Sequence, residues 1–161
     1  MILNTATIAY LFDFDGTLVG SDEWHGIWHN TKLLFENPPY INPDKLDIRW
    51  FILTARPKID YCLIKFVCGW YGLHPSAIYT SGTLRYQFNS TEDEMFHKRK
   101  FIIDILNGDR KLPQYKHPIE KVLYIDNNMK ANEILNSNRN SLNYLAMTVN
   151  DFYTDKFHYI I

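Results

Sequence analysis

The sequence predicts an α/β fold, in which a parallel sheet of about five strands carries helices on both faces. Two observations support this prediction. Short apolar runs rich in β-branched and aromatic residues, such as TIAYLFDF, alternate along the chain with segments whose apolar residues recur at helical spacing. Strands that alternate with helices form right-handed βαβ units, so the strands are parallel and both faces of the sheet are covered.

Length and composition are those of one globular domain. The chain has 161 residues, of which 46% are hydrophobic and 16% are aromatic, and this suffices for a packed core. We therefore expect a single domain over residues 1–161. The formal net charge of -1 gives no overall basic field of the kind that favours nucleic-acid binding, although local basic patches remain open.

The sequence favours a cytoplasmic protein that does not contact a membrane. No segment has the length of a membrane span, and no basic region precedes the first apolar run, as it would in a signal peptide. Cys62 and Cys68 match no zinc-binding spacing, and a disulfide scaffold is unusual in a chain of this size. We expect two buried free thiols in a reducing compartment.

The first half of the chain contains three predicted strands and two predicted helices. TIAYLFDF is the first strand, and a helix is expected to begin after Ser21, a residue type that caps helices. IRWFIL is the second strand and SAIYTS a short third one; the helix between them begins near Pro57 and ends near Gly72. The residues whose spacing predicts the buried faces of these helices are Trp24, Ile27, Trp28, Leu34 and Phe35, then Ile59, Cys62, Leu63, Phe66 and Trp70.

The second half of the chain contains two predicted strands and two predicted helices. A capping box formed by Thr91 and Glu94 predicts a helix that runs to about Gly108. KVLYID is the fourth strand, NNMKANEIL the helix after it and LNYLAMTV the fifth strand, with an aromatic tail packed on the fold. Lys98 and Arg99 both fall within or beside the apolar face of their helix, where a lysine needs an anionic partner, and a solvent-exposed basic turn is the alternative. That face comprises Met95, Ile102, Ile105 and Leu106.

Polar residues follow three of the predicted strands. Asp13, Thr54 and Asp126 each end a strand, and Asp15 follows Asp13 by two residues. Ligands of open parallel sheets bind at the carboxyl ends of the strands, so we expect these side chains to gather there. Neighbouring carboxylates repel each other, and oxygen ligands of this kind suit Mg²⁺ rather than zinc. Lys98, whose stem can run along apolar surface, would offset further negative charge.

The pair of acids in FDFDGT suits phosphoryl transfer. Residues two apart in an extended strand point to the same side, so Asp13 and Asp15 face one site while Phe14 packs the other way. One carboxylate can attack phosphorus, and the other can protonate the leaving oxygen and then activate water. Gly16 permits an abrupt turn, and Thr17 can donate a hydrogen bond to phosphate or to the loop.

These residues resemble the four sequence motifs of the haloacid dehalogenase (HAD) superfamily, whose members are mainly phosphatases and phosphotransferases. LFDFDGTL is similar to the first motif, FILTAR to the second, HKRKFI to the third and VLYIDNN to the fourth, in the family's order. The resemblance implies a three-layer, Rossmann-like sheet, with Asp13 as nucleophile, Asp15 as general acid and base, and Thr54 and Lys98 as further catalytic residues. It also implies a Mg²⁺ cofactor held by Asp13, Asp126 and the backbone carbonyl of Asp15.

The fourth motif departs from the family pattern at one position. Many relatives have a second acid there, whereas Asn127 and Asn128 follow Asp126 in this chain. The carbonyl oxygen of an asparagine can still coordinate Mg²⁺, so Asn127 is expected among the metal ligands, although it adds no negative charge. This departure supports an alternative in which the chain keeps the fold as a binding module and has lost catalysis.

The spacing of the motifs leaves little room for a cap domain. Only 40 residues lie between Asp13 and Thr54, and 43 lie between Thr54 and Lys98. The resemblance therefore implies a capless or minimally capped enzyme whose open site accepts a large phosphorylated substrate. LTAR and DNN also resemble, more loosely, the HAD phosphatases of nucleic-acid end repair. A nucleotide or a polynucleotide end is thus the first candidate substrate, and a phosphoprotein or a small metabolite is the alternative.

Candidate substrate contacts follow from position and residue type. Arg56, just after the second motif, is expected to bind a phosphate together with Gly16 and Thr17, although an arginine at a helix start can equally pair with a surface acid. Two clusters lie near the predicted site: the first could stack on a base, although its helical spacing favours a place in the core, and the second could form another side of the mouth. The first cluster is Trp24, His25 and Trp28, and the second is Arg85, Tyr86 and Phe88.

Overall fold

A computed structural model of the chain describes residues 7–81, 88 and 90–160, with residues 155–160 described by their backbone alone. Its strands are β1 (Ile8–Phe12), β2 (Trp50–Leu53), β3 (Ile78–Tyr79), β4 (Lys121–Ile125) and β5 (Tyr144–Met147). They form one sheet in the order β3-β2-β1-β4-β5, and every neighbouring pair is parallel. The predicted α/β class and the predicted parallel sheet are confirmed.

The helices of the described residues cover both faces of this sheet. They are α1 (Ile27–Glu36), α2 (Tyr61–Tyr71), α3 (Thr91–Leu106), α4 (Met129–Ser137) and α5 (Val149–Ile160). On one face the core contains Leu34 of α1, Val67 of α2 and Phe152 of α5. On the other face it contains Ile102 of α3 and Leu135 of α4. The three-layer architecture predicted from the alternation of strands and helices is therefore confirmed.

Strand β1 lies at the centre of the sheet and contributes to both cores. Tyr10 and Phe12 pack on the face of α1, α2 and α5, whereas Ala9 and Leu11 pack on the face of α3 and α4. This alternation is the period-two pattern of a strand with both faces covered, which explains why the sequence of β1 is a continuous apolar run. Among the described residues, no helix is both long enough and apolar enough to span a membrane.

Helix α1 begins later than the sequence predicted. Ser21 does not cap it; the Ser21 hydroxyl accepts a hydrogen bond from the Glu23 N–H at 3.2 Å within a local turn. The loop continues to Gly26, whose φ of 105° is a conformation that glycine adopts easily. Asn30 then fastens the loop, since its side chain accepts from the His25 N–H at 2.7 Å and donates to the Glu23 carbonyl at 2.9 Å.

The buried faces of α1 and α2 also differ from the prediction. Trp28 is 88% exposed, so the expectation that the tryptophan cluster lies in the core is wrong for it. In α2 the core side chains are Ile64, Val67 and Cys68, while Phe66 and Trp70 are 61% and 65% exposed. Apolar residues occur nearly all round this helix, so spacing alone cannot select the buried face. Cys62 is exposed, which contradicts the expectation that both thiols are buried.

The boundaries of the later helices are close to the prediction. Helix α3 begins at Thr91, but its cap is Ser90, whose hydroxyl accepts from the Asp93 N–H at 3.1 Å. Asn128 caps α4 in the same way. The tail predicted to pack on the fold forms α5. The expectation of a single domain without a large cap stays a prediction.

Candidate active site

The carboxyl ends of β1, β2 and β4 bring three polar residues together. The N–H groups of Asp13, Thr54 and Asp126 each donate at 2.9 Å to a carbonyl of the neighbouring strand, so the sheet ladder continues through them. This pairing fixes the start of each loop on a rigid scaffold. All three residues line one cavity of about 340 Å³, together with Asp15 and Arg56. The structure thus brings together residues that lie more than a hundred positions apart in the sequence.

A tight turn follows Asp13 and Asp15 at the end of β1. Phe14, between them, is fully buried in the core. Gly16 has a φ of 77°, and its N–H donates to the Val19 carbonyl at 2.7 Å. A Cβ atom at this position would lie only 2.8 Å from the backbone nitrogen of Asp22, so glycine is required both for the conformation and for the space.

Lys98 is a buried cation of the site, with 1% of its surface exposed. Its Nζ donates to Asp13 Oδ1 at 2.8 Å and to the Tyr124 hydroxyl at 2.6 Å. It also lies 3.3 Å from Glu94 Oε1 and 3.9 Å from Asp126 Oδ2. Burial alone would lower the pKa of Lys98, but the surrounding carboxylates raise it above its usual value. The lysine is therefore held in its charged form.

The carboxyl group of Asp13 lies in an environment that disfavours its ionisation. Its pKa is raised well above the usual value by burial and then by the charge of Asp126, against the opposing effect of Lys98. The Thr17 hydroxyl donates to Asp13 Oδ2 at 3.4 Å, so this threonine contacts the carboxylate. One lysine does not fully compensate two buried aspartates, and a further cation would favour the charged form of Asp13.

Tyr124 and Glu94 are site residues that the sequence analysis missed. The Tyr124 hydroxyl donates to Asp126 Oδ2 at 2.8 Å while it accepts from Lys98, so it links these two side chains. Burial, followed by the charge of Asp126, raises the pKa of Tyr124 well above its usual value. Two signals could have found these residues. Tyr124 is two positions before Asp126 on one strand, and Glu94 is one helical turn before Lys98.

Arg56 is paired with acids on both sides. Its guanidinium donates to both carboxylate oxygens of Asp15, at 2.7 and 2.8 Å, and to Asp60 Oδ2 at 2.9 Å. Burial opposes the charge of this buried arginine, but these bonds raise its pKa above its usual value. Arg56 lines the cavity, as a phosphate-binding residue would, yet its partner here is Asp15. The proposed contact of Arg56 with substrate stays a prediction.

Asn127 connects three loops. Its amide nitrogen donates to the Gly16 carbonyl at 3.2 Å, and its amide oxygen accepts from the Val149 N–H at 3.1 Å. Its own N–H donates to the Thr17 hydroxyl at 3.0 Å. These hydrogen bonds from Asn127 hold Gly16 and Thr17 in place. The amide oxygen expected to bind a metal is engaged with the start of α5, and that expected role of Asn127 stays a prediction. Asn128, rather than Asn127, lines the cavity.

The donors around the cavity are oxygens, and they fit a hard cation. In the part of the chain that the structure describes, no group of three His, Cys, Asp or Glu side chains converges in a form ready to hold a metal. Asp13, Asp15 and Asp126 line the cavity, and the expected ligand set of the Asp13 and Asp126 carboxylates with the Asp15 carbonyl stays a prediction. A cation such as Mg²⁺ often uses one or two carboxylates and keeps several waters. Such an ion would stabilise the charged forms of the two buried aspartates, Asp13 and Asp126, and would oppose the rise in the pKa of Asp13.

Aromatic residues of two loops lie at the mouth of the cavity. Trp24, in the loop before α1, and Phe88, in the segment before α3, both line it. Trp24 is therefore at the site rather than in the core. In the described part of the chain, Trp28 does not line this cavity. Arg85 and Tyr86, which were expected at the mouth, lie outside the described residues.

Comparisons with known proteins give little information about this chain. No protein-family model matches it, and no curated protein matches it. Its structure is similar to the NMR structure of the core domain of a "putative phosphoglycolate phosphatase" from Streptococcus pneumoniae TIGR4. The TM-score is 0.45 and the sequence identity 15%, over 94% of this chain and 96% of the other. At these values the similarity carries no argument about function.

Proposed function

We propose that the protein is a Mg²⁺-dependent phosphomonoester hydrolase of the HAD type that acts through an aspartyl-phosphate intermediate. The observation that carries this proposal is the contact of Lys98 Nζ with Asp13 Oδ1, at 2.8 Å, beside a cavity lined by acids. Burying a lysine and a carboxylate costs desolvation free energy, which their attraction does not always repay, so a functional role explains why the pair is present. The order of the four motif-like segments supports the same class.

In the first half of the reaction, a carboxylate oxygen of Asp13 attacks phosphorus, and the bond from phosphorus to the leaving oxygen breaks. Asp15 donates a proton to that leaving oxygen, so that an alcohol departs. Lys98 and Thr17 hold the Asp13 carboxylate in place through its two oxygens. Thr54, at the edge of the cavity, would donate to a phosphoryl oxygen. A bound Mg²⁺ would neutralise phosphate charge and favour the ionised form of Asp13.

In the second half, Asp15 accepts a proton from water, and the water oxygen attacks the phosphorus of the aspartyl phosphate. The bond from phosphorus to the Asp13 oxygen breaks, inorganic phosphate leaves and both acids return to their starting states. This scheme starts from an Asp15 that carries a proton, and no proton can lie between Asp15 and Arg56 while both carboxylate oxygens accept hydrogen bonds from the guanidinium. The pair with Arg56 must therefore loosen when substrate is bound, and the phosphate group is the anion that could take the place of Asp15 on Arg56.

A second candidate function is a binding module that has lost catalysis. One specific observation favours it: both carboxylate oxygens of Asp15 are occupied by Arg56. The absence of a second acid after Asp126 points the same way. Such a module would bind phosphate or a phosphate analogue and would not turn it over.

For the substrate, we propose a nucleotide or a phosphorylated polynucleotide end. The support is the open mouth of the cavity and the aromatic side chains of Trp24 and Phe88 that line it. A phosphoprotein or a small metabolite is the alternative for the same chemistry.

Both cysteines are free thiols, which supports the reducing conditions of the cytoplasm as the proposed compartment.

The proposal is tested with a panel of phosphomonoesters assayed in Mg²⁺ and again in EDTA. The panel contains an aryl phosphate, mononucleotides, 3′-phosphorylated oligonucleotides, sugar phosphates and phosphopeptides. We expect release of inorganic phosphate in Mg²⁺, little release in EDTA and the highest kcat/KM for a nucleotide or an oligonucleotide. Tight binding of a phosphate analogue without hydrolysis of any substrate would instead identify the binding module.

A further inference from the structure

A second cavity, of about 690 Å³, lies at the β3 edge of the sheet between the start of α2 and the middle of α3. We call it the basic groove. The residues that define it are Lys58, Tyr61, Tyr79, His97, Phe101 and Arg110. Lys100 and Asp104 also line it and lie 3.3 Å apart, so each offsets the charge of the other. Nothing in the proposed chemistry of Asp13 uses this groove.

Two cations of the groove, Lys58 and Arg110, form no ion pair with an acid in the described part of the chain. Lys58 is exposed, and no carboxylate of the described residues lies within ion-pair distance of it. The Arg110 guanidinium lies over aromatic rings instead of an acid, at 4.3 Å from the ring centroid of Phe101 and 5.9 Å from that of Tyr79. In a chain whose net charge is -1, this local surplus points to an anionic ligand.

Aromatic rings lie between these charges. Tyr61 is 42% exposed at the first residue of α2. Tyr79 and Phe101 contact each other with ring centroids 4.8 Å apart, and Arg110 covers the pair. An exposed phenol ring and the outer face of a stacked guanidinium are both surfaces on which an unpaired base can stack. The groove therefore offers two kinds of contact, to phosphates and to bases.

The basic groove begins where the active-site cavity ends. Lys58 follows Arg56, which lines that cavity, by two residues, so their Cα atoms are at most about 7 Å apart. The Ser81 N–H, two residues beyond β3, donates to the Arg56 carbonyl at 2.9 Å. On the other side, the ring of His97 lies 5.6 Å from that of Phe88, which lines the active-site cavity. One ligand could thus occupy both cavities.

We propose that the basic groove binds single-stranded nucleic acid and directs the phosphorylated end of the strand to Asp13. The inference rests on the proposed phosphatase function for the role of that end, but the groove can be tested without it. A nucleic-acid strand repeats its negative charge and carries an aromatic base with each phosphate, which matches cations that alternate with rings. A peptide offers neither repeat, so the groove favours the polynucleotide over the phosphoprotein as substrate.

The direct test is fluorescence anisotropy with a labelled single-stranded oligonucleotide that has no terminal phosphate. We expect salt-dependent binding to the full chain that falls on the order of tenfold in K58E combined with R110Q. We also expect the slope of log affinity against log salt to shrink by about 0.7 for each contact removed. Y61A, which removes a ring and no charge, should lower the affinity on the order of tenfold with the salt slope unchanged.

The matched control is K65E, which makes the same charge reversal on the exposed surface of α2 outside the groove. Its affinity should stay within about twofold of wild type. Equal losses in K65E and in the groove variants would overturn the proposal, as would equal competition by a mononucleotide or a phosphopeptide.

These measurements distinguish failure of the proposed nucleic-acid binding from failure of the proposed phosphatase activity. Groove-dependent binding without hydrolysis of any phosphomonoester would support nucleic-acid binding by the basic groove and overturn the proposed catalysis. Hydrolysis by a protein that binds no oligonucleotide would support the proposed catalysis and overturn nucleic-acid binding by the basic groove. If both proposals hold, K58E combined with R110Q lowers kcat/KM for a 3′-phosphorylated oligonucleotide more than for an aryl phosphate, whereas K65E lowers neither.

Discussion

The guanidinium of Arg56 forms a two-pronged ion pair with the carboxylate of Asp15, with donor–acceptor distances of 2.7 and 2.8 Å. Arg56 follows β2 and Asp15 follows β1, so this pair joins the loops of two neighbouring strands at the mouth of the cavity. A planar guanidinium matches the two oxygens of a carboxylate, and a lysine cannot reproduce this geometry. The orientation of Asp15 is therefore set by Arg56.

We predict that R56K lowers kcat/KM for an aryl phosphate by about a hundredfold, because a lysine keeps the charge but cannot donate two parallel hydrogen bonds to the phosphate that takes the place of Asp15. Steady-state kinetics over a range of pH measure the effect. The control is R49K, since Arg49 bonds the Gln114 carbonyl away from the cavity. An R56K enzyme with wild-type kcat/KM would show that the guanidinium of Arg56 has no part in catalysis.

Tyr124 offers a test of the buried network below Asp13. We predict that Y124F lowers the free energy of unfolding by about 1–3 kcal/mol, because the buried Lys98 and Asp126 each lose a hydrogen-bond partner. Activity should fall by about tenfold as well, since both side chains lose a group that orients them. Urea denaturation and steady-state kinetics measure the two effects.

The matched control for this variant is Y144F. Tyr144 is also fully buried, and its hydroxyl donates to the Leu135 carbonyl at 2.6 Å, outside the site. It should lose stability to a similar degree and keep its activity. Equal activities of Y124F and Y144F would contradict the positioning role of Tyr124.

The two cysteines should differ in reactivity. Cys62 is exposed, whereas Cys68 is buried, and burial together with the charge of Asp44 raises the pKa of the Cys68 thiol to about 12. The thiolate is the reactive form, so we predict that iodoacetamide at about pH 8.5 modifies one thiol in the native chain and two after denaturation. Mass spectrometry counts the modified sites, and native C62S should remain unmodified. Modification of both thiols at equal rates in the native chain would contradict the buried position of Cys68.

The sheet and much of the site could be predicted from the sequence because they depend on patterns that are local. Asp13 and Asp126 end strands whose apolar runs are evident, and parallel strands bring their carboxyl ends to one edge. Lys98 could be selected from the HKRK segment because its long stem can run along the apolar helix face to an acid. The structure shows that acid to be Asp13.

The rest depends on tertiary contacts that spacing does not encode. Helix α2 is apolar nearly all round, so the choice of Val67 over Phe66 for the core is made by the packing of the helix on the sheet. The partner of Arg56 was left open because the sequence does not show that Asp15 and Asp60 lie on either side of it. Tyr124 looked like an ordinary strand residue, since its role depends on a lysine from another element.

The central claim is that Asp13 is the nucleophile of a phosphatase, and the most direct measurement is the kcat of D13N for an aryl phosphate in Mg²⁺. Asparagine keeps the size of the side chain but cannot attack phosphorus, so we predict a loss of at least about a thousandfold. Circular dichroism should show a folded chain, and D151N, on the exposed surface of α5, should keep full activity. A folded D13N protein with the kcat of wild type would contradict the account.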